Sequence, residues 1–210
     1  MAKEFFSNNK TTIITAFFVL ITTISTAWLT YNQSTKDKMT DFKIEQLRIE
    51  NDERIATNNR HIAIIHGEMW ELLHKLDADR CFIIQPHPEH KHLFLSVALE
   101  VDRKGISAVK DIFQNIPISD IAGFVKDAAT TIWLYYDDIN IQVSDKKAQS
   151  LMLLAGSAQI AIRQLVDVKG SWIGSLVVEN INPKEYDKNA SMEIIKNSAN
   201  TIQFILPPIN

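Results

Sequence analysis

Gly170–Asn180 reads GSWIGSLVVEN, and this stretch decides the fold. Trp172–Glu179 is rich in β-branched and aromatic residues, the composition of a strand. Asp167–Gly170 just before it has the residues of a tight turn. Ahead of the turn, Ser150–Val166 is a long apolar segment that ends as a second strand, Ala158–Leu165. Two apolar strands joined by a short polar turn make an antiparallel hairpin.

Downstream, Asn182 and Pro183 mark a turn. Tyr186 to Leu206 follows as a closing helix, with Met192, Ile195, Ala199 and Ile202 on one face. Pro207 and Pro208 stop it. Upstream, Arg80–Gln85 (RCFIIQ) and Leu93–Val101 read as strands around the loop PHPEHKH, and Ile132–Tyr136 as another. Ser119 and Asp120 are placed to cap a short helix through Lys126 to Ala129, and Asp137–Lys147 reads as a polar loop. Ile106–Ile118 has no decisive period. Strands and helices do not alternate, so the expected class is α+β: an antiparallel sheet with helices on it.

The N-terminal third is different. No charged residue lies between Lys10 and Lys36. A bilayer core of about 30 Å needs roughly 20 apolar residues as helix, so residues 11–31 are expected to form one transmembrane helix after a short N-terminal segment, 1–10. The apolar run exceeds a signal-peptide core, and Trp28 and Tyr31 sit where interfacial aromatics belong, which favours a retained anchor over a cleaved signal. On a helical wheel Thr11, Thr15, Thr22, Thr26 and Thr30 fall together, opposite Ile13, Phe17, Leu20 and Ile24. Small hydroxylated residues on one face favour helix–helix packing in membranes, so these five threonines are the expected association face, with pore lining as one use of it. The competing reading is that each hydroxyl bonds back to its own helix. Lysines and arginines flanking the span lean toward a cytoplasmic C-terminal region.

Residues 32–66 are expected to be a juxtamembrane connector, Gln33–Thr40, and a helical stalk that begins near Asp41 and runs on to Leu76. A heptad can be written through Ile44, Arg48, Asn51, Ile55, Asn58, Ile62, Ile65, Met69, Leu72 and Leu76. Its polar core positions weaken a coiled coil, and a solvated stalk and a weak self-associating helix are both open. Met69–Leu76 is apolar enough to pack on the domain that follows, residues 67–210.

Chemistry is sparse. A net charge of −3 without a basic patch excludes nucleic-acid binding. The single cysteine, Cys81, excludes an intramolecular disulfide. His87, His90 and His92 share one loop and are weak metal candidates, because a structural site wants four fixed ligands. Asp77, Asp79 and Arg80 read as a helix end and an ion pair. There is no phosphate loop, metalloprotease helix or nucleophile elbow, so no enzyme activity, catalytic residue, cofactor or resident metal is expected.

The order of elements and GSWIGSLVVEN resemble the GAF and PAS-like domains, in which a hairpin carries isoleucine-glycine before an apolar strand. Met69–Gln85 (MWELLHKLDADRCFIIQ) is similar to the helix-then-strand start of such domains. The resemblance implies small-ligand binding, partner binding or dimerisation. It carries over no ligand residue, because the bilin-attaching cysteine has no match: Cys81 falls in the first strand. The whole layout also resembles the single-span holins of large tailed phages. That resemblance implies a homo-oligomer permeabilising the host inner membrane, with the GAF-like domain as regulator. No kinase, cyclase or DNA-binding segment follows within the sequence, which adds to this expectation. The alternative is a bacterial membrane-anchored sensory or adaptor module that binds a small ligand or a partner protein. Both place the chain in the lipid bilayer of a bacterial inner membrane, with the side of the soluble domain open.

Overall fold

The computed structural model describes residues 10–89, 91–185 and 187–209, with side chains from Ile14 onward. It has two compact units, Met1–Ala56 and Thr57–Asn210. One helix, α1 (Lys10–Lys75), supplies the first unit and the start of the second. Gln33–Thr40 is helical like its neighbours, so the polar connector expected there is part of α1. Nothing in that stretch breaks a helix, since it holds neither proline nor glycine. An 18-residue window of α1 has mean hydropathy 1.6 and none of it is buried. By length and composition the helix can cross a membrane.

The second unit is a six-stranded antiparallel sheet. Its strands are β1 (Arg80–His87), β2 (Phe94–Asp102), β3 (Ile116–Pro117), β4 (Trp133–Tyr136), β5 (Gln159–Val166) and β6 (Trp172–Asn180). The spatial order is β3-β2-β1-β6-β5-β4, so β1 and β6 are central. The expected hairpin is β5–β6, paired from Gln159↔Asn180 to Val166↔Trp172. Asp167 builds its turn: the carboxylate accepts from the Lys169 and Ser171 amides, both at 2.8 Å.

Gly174 is required where β6 crosses β1. Its φ is +153°, and a Cβ there would lie 2.5 Å from the Ile84 carbonyl oxygen. Only glycine lets the two central backbones approach this closely.

Because side chains alternate along a strand, the sheet has two apolar faces. On one, Phe82, Ile84, Ile160, Ile162 and Val177 pack under α2 (Ala122–Thr130), α3 (Ile139–Gln142) and α4 (Lys146–Leu154). The Asp145 carboxylate caps α4 by accepting from the Lys147 and Ala148 amides, and it also accepts from Phe124 in α2. The segment read as polar loop, 137–147, thus contains a short helix and the start of another. Asp138 caps that short helix through the Asn140 amide. Ser119 and Asp120 do not cap α2; they lie in a 3-10 turn, Ile118–Ile121, that leads into it.

On the other face, Cys81, Ile83, Leu176 and Val178 meet Ile65, Met69, Leu72 and Leu73 of α1 and Ile195, Ala199 and Ile202 of α5 (Lys188–Ile205). The four α1 side chains are fully buried, each stabilising by about 1.5–3 kcal/mol. The apolar end of the stalk therefore packs on the domain, as its spacing predicts. α5 begins at the Asp187 cap; Tyr186, the expected start, lies outside the described residues.

Candidate functional site

Of the threonines expected to form an association face, Thr22, Thr26 and Thr30 are exposed, and their hydroxyls turn inward to the backbone. Thr22 donates to Phe18 O at 2.9 Å, and Thr26 and Thr30 to the carbonyl four residues earlier at 2.8 Å. Thr23, Thr35 and Thr40 do the same. Thr15 is engaged as well. The Thr11 side chain lies outside the described residues.

The two described histidines here, His87 and His92, have different neighbours. His87 is buried in β1, with a ring nitrogen 2.8 Å from the Ser96 hydroxyl and its ring against Phe94. His92, at the far end of the loop, sits edge-on to Trp172 at 6.4 Å. His90 lies outside the described residues. Among the described residues no group of three or more His, Cys, Asp or Glu is placed to hold a metal.

Sequence reading misplaced the ion pair near Arg80. Asp77 pairs with Arg103 at 2.5 Å and with Lys184. Arg80 is wholly buried and bonds Glu179, its neighbour across the β1–β6 ladder. Its guanidinium also donates to Ser107 O at 2.8 Å and Ala155 O at 2.7 Å. Burial pushes the Glu179 carboxyl up, against the opposing pull of Arg80. Asp102 pairs with Arg80 on the other side, and burial followed by the Glu100 carboxylate pushes it up to about 7. Glu100 in turn accepts from the Val109 and Lys110 amides. These groups tie the 103–115 segment and the end of α4 to the sheet.

Beside this cluster an internal cavity of about 20 Å³ is lined by Phe82, Ile84, Leu95, Ser157 and Glu179. That is room for about one water. A far larger cleft, about 580 Å³, opens at the other end of β1. The start of the β1–β2 loop lends Gln85, Pro86, Glu89 and His92. The β5–β6 turn and the start of β6 lend Asp167–Lys169 and Ser171–Ile173. The end of α5 and the tail after it lend Gln203, Phe204, Leu206 and Pro208. Its size falls within the roughly 300–1,000 Å³ of ligand clefts. Gln85 at its wall is 4% exposed, yet its Oε1 has no hydrogen-bond partner; its amide nitrogen lies 3.4 Å from Ile173 O. Trp172 is anchored by its indole N–H on the Ser175 hydroxyl at 3.1 Å.

Sequence reading missed this cleft, because its parts come from three segments separated by about 80 and 30 residues. The local signal was a glutamine ending an apolar strand and a phenylalanine on the polar side of the closing helix.

No protein-family model and no curated protein matches the chain. Solved structures do. The chain is similar to the blue-light-absorbing form of the PixJ GAF domain of Thermosynechococcus elongatus, with TM-score 0.56 at 12% identity, covering 70% of this chain and 88% of that one. It is similar to a far-red cyanobacteriochrome photoreceptor, with TM-score 0.55 at 12% identity over 79% and 99%. It also resembles the chromophore-binding domain of a bacteriophytochrome from R. palustris, with TM-score 0.50 at 12% identity over 73% and 60%. At such identities the likeness is one of fold, and the fold of the second unit is GAF-like.

Proposed function

We propose that this chain is a single-pass sensory or adaptor module of a bacterial inner membrane, without enzymatic activity, whose GAF-like domain receives a small ligand or a partner protein. One observation carries the reading: the helix that bears the apolar segment also plants Ile65, Met69, Leu72 and Leu73 in the domain core. A change in how the sheet packs then alters the seat of a helix that leads to the membrane segment. The structural neighbours are photoreceptor domains by name, and a sensory role is the part of that likeness we extend to this chain. A chromophore is not extended with it: the one cysteine, Cys81, is buried in β1.

The permeabilising reading rests on the threonine pattern and on overall layout. Back-bonded hydroxyls account for much of that pattern without a pore. Weak self-association through α1 is compatible with the sensory reading, because paired helices transmit changes of packing.

Induced expression in a bacterium tests the choice. The expected result is continued growth and a steady membrane potential with the protein in the membrane fraction. Abrupt collapse of the potential at a fixed time after induction would overturn this reading in favour of membrane permeabilisation.

A further inference from the structure

We propose that Glu100 and Asp102 share one proton, and that this proton latches the segment 103–115 onto the sheet. The inference concerns the domain fold alone, so it goes beyond the sensory reading and does not depend on it.

The latch is built from side chains on one face of three neighbouring strands. Arg80 in β1 lies beside Asp102 in β2 and Glu179 in β6, and Glu100 lies one pair further along, opposite Phe82. One guanidinium thus faces three carboxyl groups, and each is held differently. Glu179 is buried and bonded directly to Arg80. Glu100 accepts from the Val109 amide at 2.6 Å and the Lys110 amide at 2.9 Å, one to each oxygen. Donors to both oxygens favour the ionised form. Asp102 has a buried, unpaired Oδ1, and its side chain hydrogen-bonds the Glu100 carboxyl. Two ionised carboxylates cannot make that bond, because neither has a proton to donate. Asp102 therefore carries the proton, and its O–H donates to Glu100.

The other groups around Asp102 leave this assignment in place. Cys81 in β1 is wholly buried; burial and then the Asp102 charge push its thiol up, so it stays neutral. On the segment, Arg103 turns to Asp77 and Leu73 O, the Lys110 ammonium turns to Ala98 O, and Lys104 and Asp111 are exposed. The end of α4 offers the uncharged Ala155 O, which Arg80 holds.

What the proton secures is the segment. Glu100 pins Val109 and Lys110, and Arg80 holds Ser107 O at 2.8 Å. Val109 and Phe113 reach into the core, Phe113 at the wall of the internal cavity beside Phe82. Loss of the proton sets two carboxylates against each other, and solvation relieves their repulsion. Opening the segment admits that water. The Asp102 carboxyl is held up at about 7 when the segment is closed and returns to roughly 4 when it is open. Opening therefore rises about tenfold per pH unit between those values and levels off above them.

Hydrogen–deuterium exchange of the full chain in nonionic detergent, read by mass spectrometry on peptides covering 103–115 and corrected for intrinsic rates, tests this. From about pH 5 to about pH 7 the opening of the segment should rise about fiftyfold, and Asp102→Asn should hold it within about threefold. The asparagine amide keeps a donor toward Glu100, so this variant should fold. Glu179→Gln should leave most of the rise in place. At about pH 7 the segment should open at least about tenfold more often than the β5–β6 hairpin. A flat wild-type profile would overturn the proposal whether or not the variants fold. A full rise that survives in Asp102→Asn, or one that vanishes in Glu179→Gln, would assign the proton elsewhere and overturn it too. Equal opening of segment and hairpin would make the event global unfolding, which is not a latch. None of these results touches growth or membrane potential, which decide the sensory reading.

Discussion

Replacing Arg80 with Met should cost the domain more than any conservative change to its partner Glu179. Arg80 is fully buried and donates to the Glu179 carboxylate, Ser107 O and Ala155 O. Arg80→Met leaves a buried carboxylate without its cation and two carbonyls without that donor. Breaking a buried pair by removing one partner costs about 3–5 kcal/mol. Each unpaired carbonyl adds up to about 1–3 kcal/mol unless water reaches it. A domain of this size has about 5–15 kcal/mol in total, so Arg80→Met brings it near the threshold of folding. Glu179→Gln is milder, about 1–2 kcal/mol, because the amide oxygen still accepts from the guanidinium and both carbonyl contacts remain. The double variant Arg80→Met with Glu179→Leu removes the stranded carboxylate and should recover about 2 kcal/mol relative to Arg80→Met alone. Urea unfolding of the full chain in detergent, followed by fluorescence of the domain tryptophans Trp70, Trp133 and Trp172, measures all three variants. Equal stability of Arg80→Met and the double variant would refute the argument, as would a loss below about 1 kcal/mol in Arg80→Met.

Gly174→Ala should destabilise by about 2–4 kcal/mol, since its Cβ would meet the Ile84 carbonyl at 2.5 Å at a left-handed φ; faster amide exchange along the β1–β6 ladder is the direct readout. Asp102, held up at about 7 in the folded state against roughly 4 when unfolded, binds more protons folded than unfolded between those values. Stability should therefore fall as pH rises from about 4 to about 7, and Asp102→Asn should flatten that slope; a wild-type slope unchanged in the variant would disprove the assignment. If the threonine face packs helices together, replacing Thr15, Thr22 and Thr26 with Leu should weaken crosslinking in membranes. Unchanged crosslinking would leave back-bonding as the sufficient account of the pattern.

The legible parts of the sequence were those governed by local pattern. Trp172–Asn180 announced its strand through β-branched residues, and Asp167–Gly170 its turn through side-chain chemistry, because both signals act over a few residues. The burial of Met69 and Leu72 followed from helical spacing, though the helix continues where a polar connector was expected, since polarity alone does not end a helix. The local sequence around Arg80 points to pairing with the aspartates beside it, Asp77 and Asp79. Its true partner is 99 residues away, and only the β1–β6 pairing places the two side by side. The cleft was illegible for the same reason: Gln85, Trp172 and Phe204 become neighbours through sheet order and helix docking. The segment 137–147 hid its helices because Asp138 and Asp145 look like loop residues until their carboxylates are seen capping.

The distribution of unpaired polar atoms then argues for where the chain is sensitive to its surroundings. In the apolar helix the hydroxyl protons of Thr22, Thr23, Thr26 and Thr30 each find a carbonyl, so those residues need no partner to be stable in lipid. In the domain, Arg80 Nε, Asp102 Oδ1 and Glu179 Oε2 lack partners at one end of β1, and Gln85 Oε1 lacks one near the other. Between these two ends, Cys81 and Ile83 of the same strand lie in the cluster that seats α1. A change at Gln85 falls two residues from Ile83, and a proton gained or lost at Asp102 falls beside Arg80, next to Cys81. Packed cores respond to such shifts by repacking rather than by smooth deformation. β1 is therefore the element on which the buried charge cluster, the wall of the cleft and the seat of α1 meet.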